Sequence, residues 1–232
     1  MSNSTLFIVS TPIGNYNDLT IRALNVLKDV DFVICEEYKE AKRLLNHFKV
    51  EKELLTLNEH NEKNVSEELI NKIKNCKSVA LISDCGTPLF SDPGSYLVTL
   101  AIQNNIKVVP VPGASSILTA LVGSGLNINK FYYYGWLSPK KDIRRKQLFE
   151  LKNRKYITII LDTPYRIRTL LEDIVLVLGK ETKIVLAFEL TTKNERFIRG
   201  TAEKVLELIK SQNLKGEFVL ILDENISTKN QT

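Results

Sequence analysis

The chain has 232 residues, of which 44% are hydrophobic and 25% charged, enough for one large α/β domain or two small ones with a sizeable core. No apolar run approaches the ~18 residues that span a bilayer, and the start lacks the charged and apolar regions of a signal peptide, so a cytoplasmic protein that neither enters nor crosses a membrane is expected. Lys and Arg number 32 against 27 Asp and Glu, a formal +5, which permits a polyanionic partner without requiring one.

In chain order, LFIVS (Leu6 to Ser10) reads as a buried strand, followed by the turn TPIGN and a helix from about Leu19 to Lys28. DFVIC (Asp31 to Cys35) is a second strand, and a charged helix covers about Lys39 to Phe48. After a polar loop, helical spacing runs over Val65 to Lys74, and SVALIS (Ser78 to Ser83) is a strand. A helix from about Gly94 to Asn104, the strand KVVPV and a helix from Ser115 to Val122 complete the first half. Apolar strands separated by helices predict a mainly parallel sheet with helices on both faces.

The pattern pauses at NINK, near Leu126, which predicts a boundary between a domain over 1–126 and a second over 127–232. FYYYGWL restarts the chain as an aromatic strand, and a basic loop and helix run from Pro139 to Leu151. The strand YITIILD and a helix from Tyr165 to Leu178 follow. TKIVLAFEL and ERFIRG are strands so close in sequence that antiparallel pairing is expected, which makes the second sheet a mixed one. A helix (Ala202 to Lys210), the strand EFVLILD and a polar tail after Glu224, expected to fray, end the chain.

Cys35, Cys76 and Cys85 are an odd set without CxxC spacing, which suits a reducing compartment better than a disulfide frame. His47 and His60 are the only histidines, and no metal site is expected from them.

Open α/β sheets bind ligands beyond the carboxyl ends of their strands. Here the first strand runs into Ser10-Thr11-Pro12-Ile13-Gly14-Asn15. Another runs into Ser83-Asp84-Cys85-Gly86-Thr87-Pro88, with Ser91-Asp92-Pro93-Gly94 after it, and KVVPV ends in Pro112-Gly113-Ala114-Ser115-Ser116. Glycine allows close backbone approach, proline sets loop shape, and Asp and Ser offer acceptors and donors to a polar small molecule. Singly each loop could be only a turn or a helix cap; their coincidence at successive strand ends favours a binding edge. No GxGxxG follows the first strand and no GxxxxGK[ST] occurs, so a cofactor held without a phosphate cradle is expected.

TPIGN, SDCGTPLFSDPG, VPGASS and KGEFVLIL together resemble the tetrapyrrole methylase-like (class III) S-adenosylmethionine-dependent methyltransferases. Within them the chain is most similar to the bacterial ribosomal RNA small subunit methyltransferase I group. NEHNE (Asn58 to Glu62), the KK…RRK run, DTPYR (Asp162 to Arg166), FELT (Phe188 to Thr191) and FIRGT (Phe197 to Thr201) extend the likeness from about Leu6 to Asp223.

The resemblance implies two α/β domains with S-adenosylmethionine in the cleft between them, usually in a homodimer. It implies methyl transfer to the ribose 2′-hydroxyl of a cytidine in small-subunit ribosomal RNA. Matching motifs assign Pro12, Asp84, Thr87, Ser115 and Ser116 to the cofactor, with Ala187 and Glu217 from the second domain. Group members usually carry an EDTR-like string where this chain has Glu36-Glu37-Tyr38-Lys39, and an ESPHR-like string where it has DTPYR. Both lie where substrate is expected, which sets Tyr165 and Arg166 among its contacts. The cofactor strings depart less, SDCGTP standing for SDAGTP.

A ribose hydroxyl is a poor nucleophile and gains from a general base or a cation that favours its alkoxide. Glu59 and His60 in NEHNE, with Glu37, are candidate acid/base groups, and Arg166 and Lys39 could stabilise negative charge. The bland alternative makes His60 a loop hydrogen-bonder and Glu59 a solvated carboxylate. Lys140, Lys141, Arg144, Arg145 and Lys146 form the densest positive cluster, just after Tyr132, Tyr133, Tyr134 and Trp136. Cations beside aromatics fit phosphate contact with base stacking; a solvated helix face beside a buried strand is the alternative. Competing activities are methylation of a tetrapyrrole, another small molecule or a protein side chain, and RNA binding without catalysis.

Overall fold

A computed structural model describes residues 4–90 and 92–224. Ser91 of the SDPG loop and the polar tail beyond Glu224 lie outside them.

The chain divides between Ser115 and Ser116 into two compact units. In the first, β1 (Thr5–Val9), α1 (Ile21–Asp29), β2 (Phe32–Cys35), α2 (Tyr38–His47), β3 (Glu53–Thr56), α3 (Glu62–Lys74), β4 (Ser78–Ile82), α4 (Ser95–Gln103) and β5 (Lys107–Val111) alternate as the sequence predicts, with one addition. That addition is β3, which the sequence reads as polar loop. All pairings are parallel, in the order β3-β2-β4-β1-β5. The central strands are nearly continuous apolar runs because both faces are covered. On one face Ala23 and Leu27 of α1 and Ala41, Leu44 and Leu45 of α2 pack on Val9, Val33 and Ile82. On the other, Leu69, Ile70 and Ile73 of α3 and Leu97 and Ala101 of α4 pack on Leu6, Ile34 and Leu81. Thr20 caps α1 by accepting the Ala23 N–H at 3.0 Å.

The second unit holds α5 (Ser116–Ser124), β6 (Phe131–Trp136), α6 (Lys141–Glu150), β7 (Ile157–Asp162), α7 (Ile167–Leu178), β8 (Lys183–Phe188), β9 (Arg196–Thr201), α8 (Ala202–Ser211) and β10 (Phe218–Leu222). Its sheet, in the order β6-β7-β10-β8-β9, is mixed. Only β6 and β7 run parallel; β8 and β9 pair antiparallel, as their short connection predicts. Leu148 of α6, Leu170 and Ile174 of α7, and Val205 and Ile209 of α8 cover one face. Instead of starting at α7, DTPYR forms a separate 3-10 turn, Pro164–Arg166, ahead of it.

The units divide earlier in the chain than the expected boundary near Leu126. The reason is packing: α5 lies on β8, β9 and β10 of the second sheet. Phe197, Ala187 and Val219 share one row across those strands, and the Phe197 ring lies so close to Gly123 that a Cβ there would sit 2.1 Å from its Cζ. Arg199 then donates to the Ser124 and Gly123 carbonyls at the end of α5. FIRGT is thus the clasp that fastens α5 to this sheet.

Candidate active site

Every strand of the first sheet points its carboxyl end to one edge, so the loops at that edge come from all five strands. NEHNE follows β3, Glu36-Glu37-Tyr38-Lys39 follows β2, SDCGTP follows β4, TPIGN follows β1 and the PGASS loop follows β5. With β3 unrecognised, the sequence alone does not place NEHNE beside the other strings.

Three of the loops are tied together. Thr11 and Gly86 exchange backbone hydrogen bonds, Thr11 N–H donating at 2.8 Å and Gly86 N–H at 3.1 Å. Gly86 takes φ +79°, the left-handed region that favours glycine, with the Ile13 side chain 3.2 Å from where a Cβ would stand. The Thr87 hydroxyl lies 3.1 Å from the Ser10 hydroxyl and 3.0 Å from the Ala114 carbonyl oxygen. Gly113 packs against Ser10, its missing Cβ falling 3.0 Å from the Ser10 Cβ. Pro12 is buried inside this junction, while Ser115 sits half-buried at the end of the first unit. The structure therefore places Pro12, Asp84, Thr87 and Ser115 on loops at the same strand-end edge.

Carboxylates gather on the β2–β4 side. Asp84 Oδ1 accepts the Glu37 N–H at 3.1 Å. Burial pushes the Glu36 carboxyl up to about 7, aided by the charges of Asp84, Asp92, Glu59 and Glu37. Asp92 rises to about 6 from burial and the charge of Asp84, with a Ser83 hydrogen bond pulling the other way. Glu36 is the residue that sequence reasoning passes over in favour of Glu37. Its position directly after the buried FVIC strand is the signal that could find it, because Cys35 is fully buried and Glu37 is exposed.

Glu59 and His60 are exposed at the tip of the NEHNE turn. Its asparagines hold the turn: Asn58 Oδ1 accepts the His60 and Asn61 N–H groups, and Asn61 Oδ1 accepts the Asn58 N–H at 2.8 Å. Glu62 Oε1 accepts the N–H groups of Gly94 and Tyr96 at 2.8 and 3.0 Å, locking the turn to the start of α4. Two asparagines and a glutamate thus serve as framework and leave Glu59 and His60 turned outward.

The remaining candidates lie in the second unit. Ser116 opens α5, and Glu217, just before β10, is exposed, its carboxyl raised by burial and by Glu189. Glu189 Oε1 accepts the Glu217 N–H at 2.7 Å. Ala187 is a correction: it is fully buried in the middle of β8, between β9 and β10, and offers no surface to a ligand.

Arg144 is a second correction. Expected to meet phosphate, it is 3% exposed and spends its guanidinium on Asp173 and on the carbonyls of Ser138 and Pro139. Arg145 is half-buried and shares the same aspartate at 2.7 Å. Lys140, Lys141 and Lys146 are exposed. Near them, at the carboxyl end of β7, Tyr165 is 90% exposed and Arg166 donates to the Leu137 carbonyl at the end of β6. The aromatic strand does not alternate cleanly: Phe131, Tyr132 and Trp136 are all exposed, because β6 is an edge strand with a register break between Tyr133 and Gly135.

Residues 5–206 match the tetrapyrrole (corrin/porphyrin) methylase family. The chain is 40% identical over 221 residues to the ribosomal RNA small subunit methyltransferase I of Halalkalibacterium halodurans, a match covering 95% of this chain and 76% of that protein. It is likewise 40% identical over 229 residues to the protein of that name from Buchnera aphidicola subsp. Acyrthosiphon pisum, covering 98% and 81%. Among solved structures, diphthine synthase has a similar fold, with a TM-score of 0.73 at 16% identity over 95% of this chain and 90% of that one.

Proposed function

Because this chain belongs to the tetrapyrrole (corrin/porphyrin) methylase family and lies among its ribosomal RNA small subunit methyltransferase I members, we propose that it methylates small-subunit ribosomal RNA, transferring the methyl group of S-adenosylmethionine to the ribose 2′-hydroxyl of a cytidine. In this proposal it works as a cytoplasmic homodimer with the small ribosomal subunit as its partner.

The convergence of five strand-end loops on one edge carries the proposal. Their donor set is carboxylate, hydroxyl and backbone amide, from Asp84, Thr87, Ser115 and their neighbours, with Pro12 buried at the same edge. Carboxylates repel a phosphate and attract a sulfonium cation, so the set fits S-adenosylmethionine. That cofactor, when bound, supplies an electrophilic methyl group. Pro12, Asp84, Thr87 and Ser115 of the first unit would hold it. In-line approach of the nucleophile is a matter of positioning, which rigid loops tied by hydrogen bonds can provide. Glu59 or His60 takes up the hydroxyl proton, and Glu36, held near neutrality, is a further acceptor at the same edge. Lys140, Lys141, Arg145 and Lys146 contact RNA phosphates, while Tyr165 and Arg166 meet the nucleotide.

A labelled-methyl assay on small ribosomal subunits, naked ribosomal RNA and a tetrapyrrole tests the substrate. Label in the RNA that maps to a 2′-O-methylcytidine is expected. Label in the tetrapyrrole alone would overturn the substrate assignment, and no calorimetric binding of millimolar S-adenosylmethionine would point to an RNA-binding protein without catalysis.

A further inference from the structure

The DTPYR turn is built around a buried carboxylate that the RNA contacts proposed above leave unused. Asp162 ends β7 and is 2% exposed. Its Oδ1 accepts the Thr163 N–H at 2.6 Å and the Arg166 Nε–H at 2.5 Å, while its Oδ2 is buried with no hydrogen-bond partner among the described residues. Arg166 is fixed a second time, Nη2 donating to the Leu137 carbonyl at 3.0 Å. The guanidinium is thereby pinned across the carboxyl ends of β6 and β7, the parallel pair of the second sheet. About a quarter of its side chain stays open to solvent, at 23%.

This arrangement is not what core packing alone selects. A buried carboxylate oxygen without a donor is costly, and an apolar or amide side chain would avoid a buried charge altogether. What the carboxylate achieves is orientation. A free arginine samples many rotamers, whereas this one is held at two of its nitrogens with part of its side chain still open to solvent. Next to it, Pro164 opens the 3-10 turn and fixes the backbone, so that Tyr165 projects from the turn at 90% exposure. A planar cation and an exposed aromatic ring on adjacent residues match an unpaired nucleotide, the ring stacking on a base and the cation meeting its phosphate or base edge.

We propose that Asp162 is a positioning residue that holds Arg166 so that Arg166 and Tyr165 form a clamp for one unpaired nucleotide of the RNA substrate. The inference rests on the RNA reading above and adds the clamp and its internal support to it.

The test compares Asp162→Asn, Arg166→Gln, Tyr165→Ala and the Asp162→Asn/Arg166→Gln double variant. Each is measured for binding to a ribosomal RNA fragment, KM and kcat with small ribosomal subunits, and S-adenosylmethionine affinity. Tyr165→Ala is expected to weaken RNA binding about tenfold with an unchanged salt slope, as loss of a stacking contact does. Arg166→Gln should raise KM for the subunit and lower the salt slope by about one. Asp162→Asn should raise the same KM with kcat and cofactor affinity unaltered, and the double variant should be no worse than Arg166→Gln alone. Additive losses, or a fall in cofactor affinity and kcat with Asp162→Asn, would make Asp162 a structural residue and overturn the positioning role. Wild-type methylation of RNA with RNA binding and KM untouched in all four variants would sink the clamp and leave the proposed function standing. RNA binding that weakens in the variants of a wild type that methylates no RNA would keep the clamp and remove the function.

Discussion

Asp173 of α7 holds two consecutive arginines of α6 with its two carboxylate oxygens: Oδ2 takes Arg144 through Nη2 at 2.6 Å and Nε at 2.8 Å, and Oδ1 takes Arg145 Nε at 2.7 Å. Asp173 and Arg144 are both buried, so their charges are met by each other, by Arg145 and by the Ser138 and Pro139 carbonyls rather than by water. Breaking a buried pair strands the other charge, which typically costs about 3–5 kcal/mol. Asp173→Ala should therefore lower the unfolding free energy by about 3 kcal/mol in a denaturant titration, whereas Lys141→Ala stays within about 0.5 kcal/mol. Equal, small effects of both would mean that Asp173 carries no buried charge pair.

Once Arg144 is removed from the proposed RNA-contacting set, the exposed cations of the basic segment are Lys140, Lys141 and Lys146. Reversing these three to Glu should weaken RNA binding and reduce the slope of log K against log salt by about two to three. Cofactor affinity, measured by calorimetry, should not move. An unchanged salt slope would put the phosphate contacts elsewhere on the chain.

The parallel sheet, its helices and the chemistry of its strand-end loops are written in local patterns, so they are legible in the amino-acid order itself. β3 is not, because ELLT is short, lies at the sheet edge and buries neither Glu53 nor Thr56; an edge strand paired on one side needs no continuous apolar run. The burial of Arg144 is legible too, although its charge suggests a solvent-facing position. It stands four residues before Leu148 and seven before Leu151, both buried, which is the helical spacing of an inward face. Its partner Asp173 lies on another helix, 29 positions away, and no local pattern reveals such a contact. The split at Ser115 is hidden for the same reason, since α5 is assigned to its unit by Phe197 and Arg199, far along the chain.

That long-range contact makes Gly123 intolerant of a side chain. A Cβ would meet the Phe197 ring at 2.1 to 2.7 Å, closer than atoms approach, so Gly123→Ala must push α5 off β9 or turn the ring. Overpacking of this kind costs about 1–3 kcal/mol. The loss should shrink when Phe197→Leu is added, because the two changes act on one contact and are not additive. Additive losses in thermal or denaturant unfolding would place the strain elsewhere.

The carboxylates between β2 and β4 make stability fall as pH rises. Glu36 is raised from 4.5 to about 7 and Asp92 from 3.8 to about 6, each chiefly by burial. A folded-state value above the unfolded one means that the folded chain binds the proton more tightly. The contribution is then fully present below about pH 4 and is lost as pH rises through 6 and 7. Glu36→Gln removes the ionisation, so it should stabilise the protein at pH 8 by about 1 kcal/mol, the full shift being discounted for the solvent that reaches this half-buried group. At pH 4 wild type and variant should unfold alike. A sulfonium cation bound at this edge favours the ionised carboxylates, so cofactor binding should release protons near neutral pH and tighten between pH 5 and 8, measurable by calorimetry in buffers of different ionisation enthalpy. Glu36→Gln should flatten that dependence. A stabilisation by Glu36→Gln that is the same at pH 4 and pH 8 would separate it from ionisation and assign it to packing.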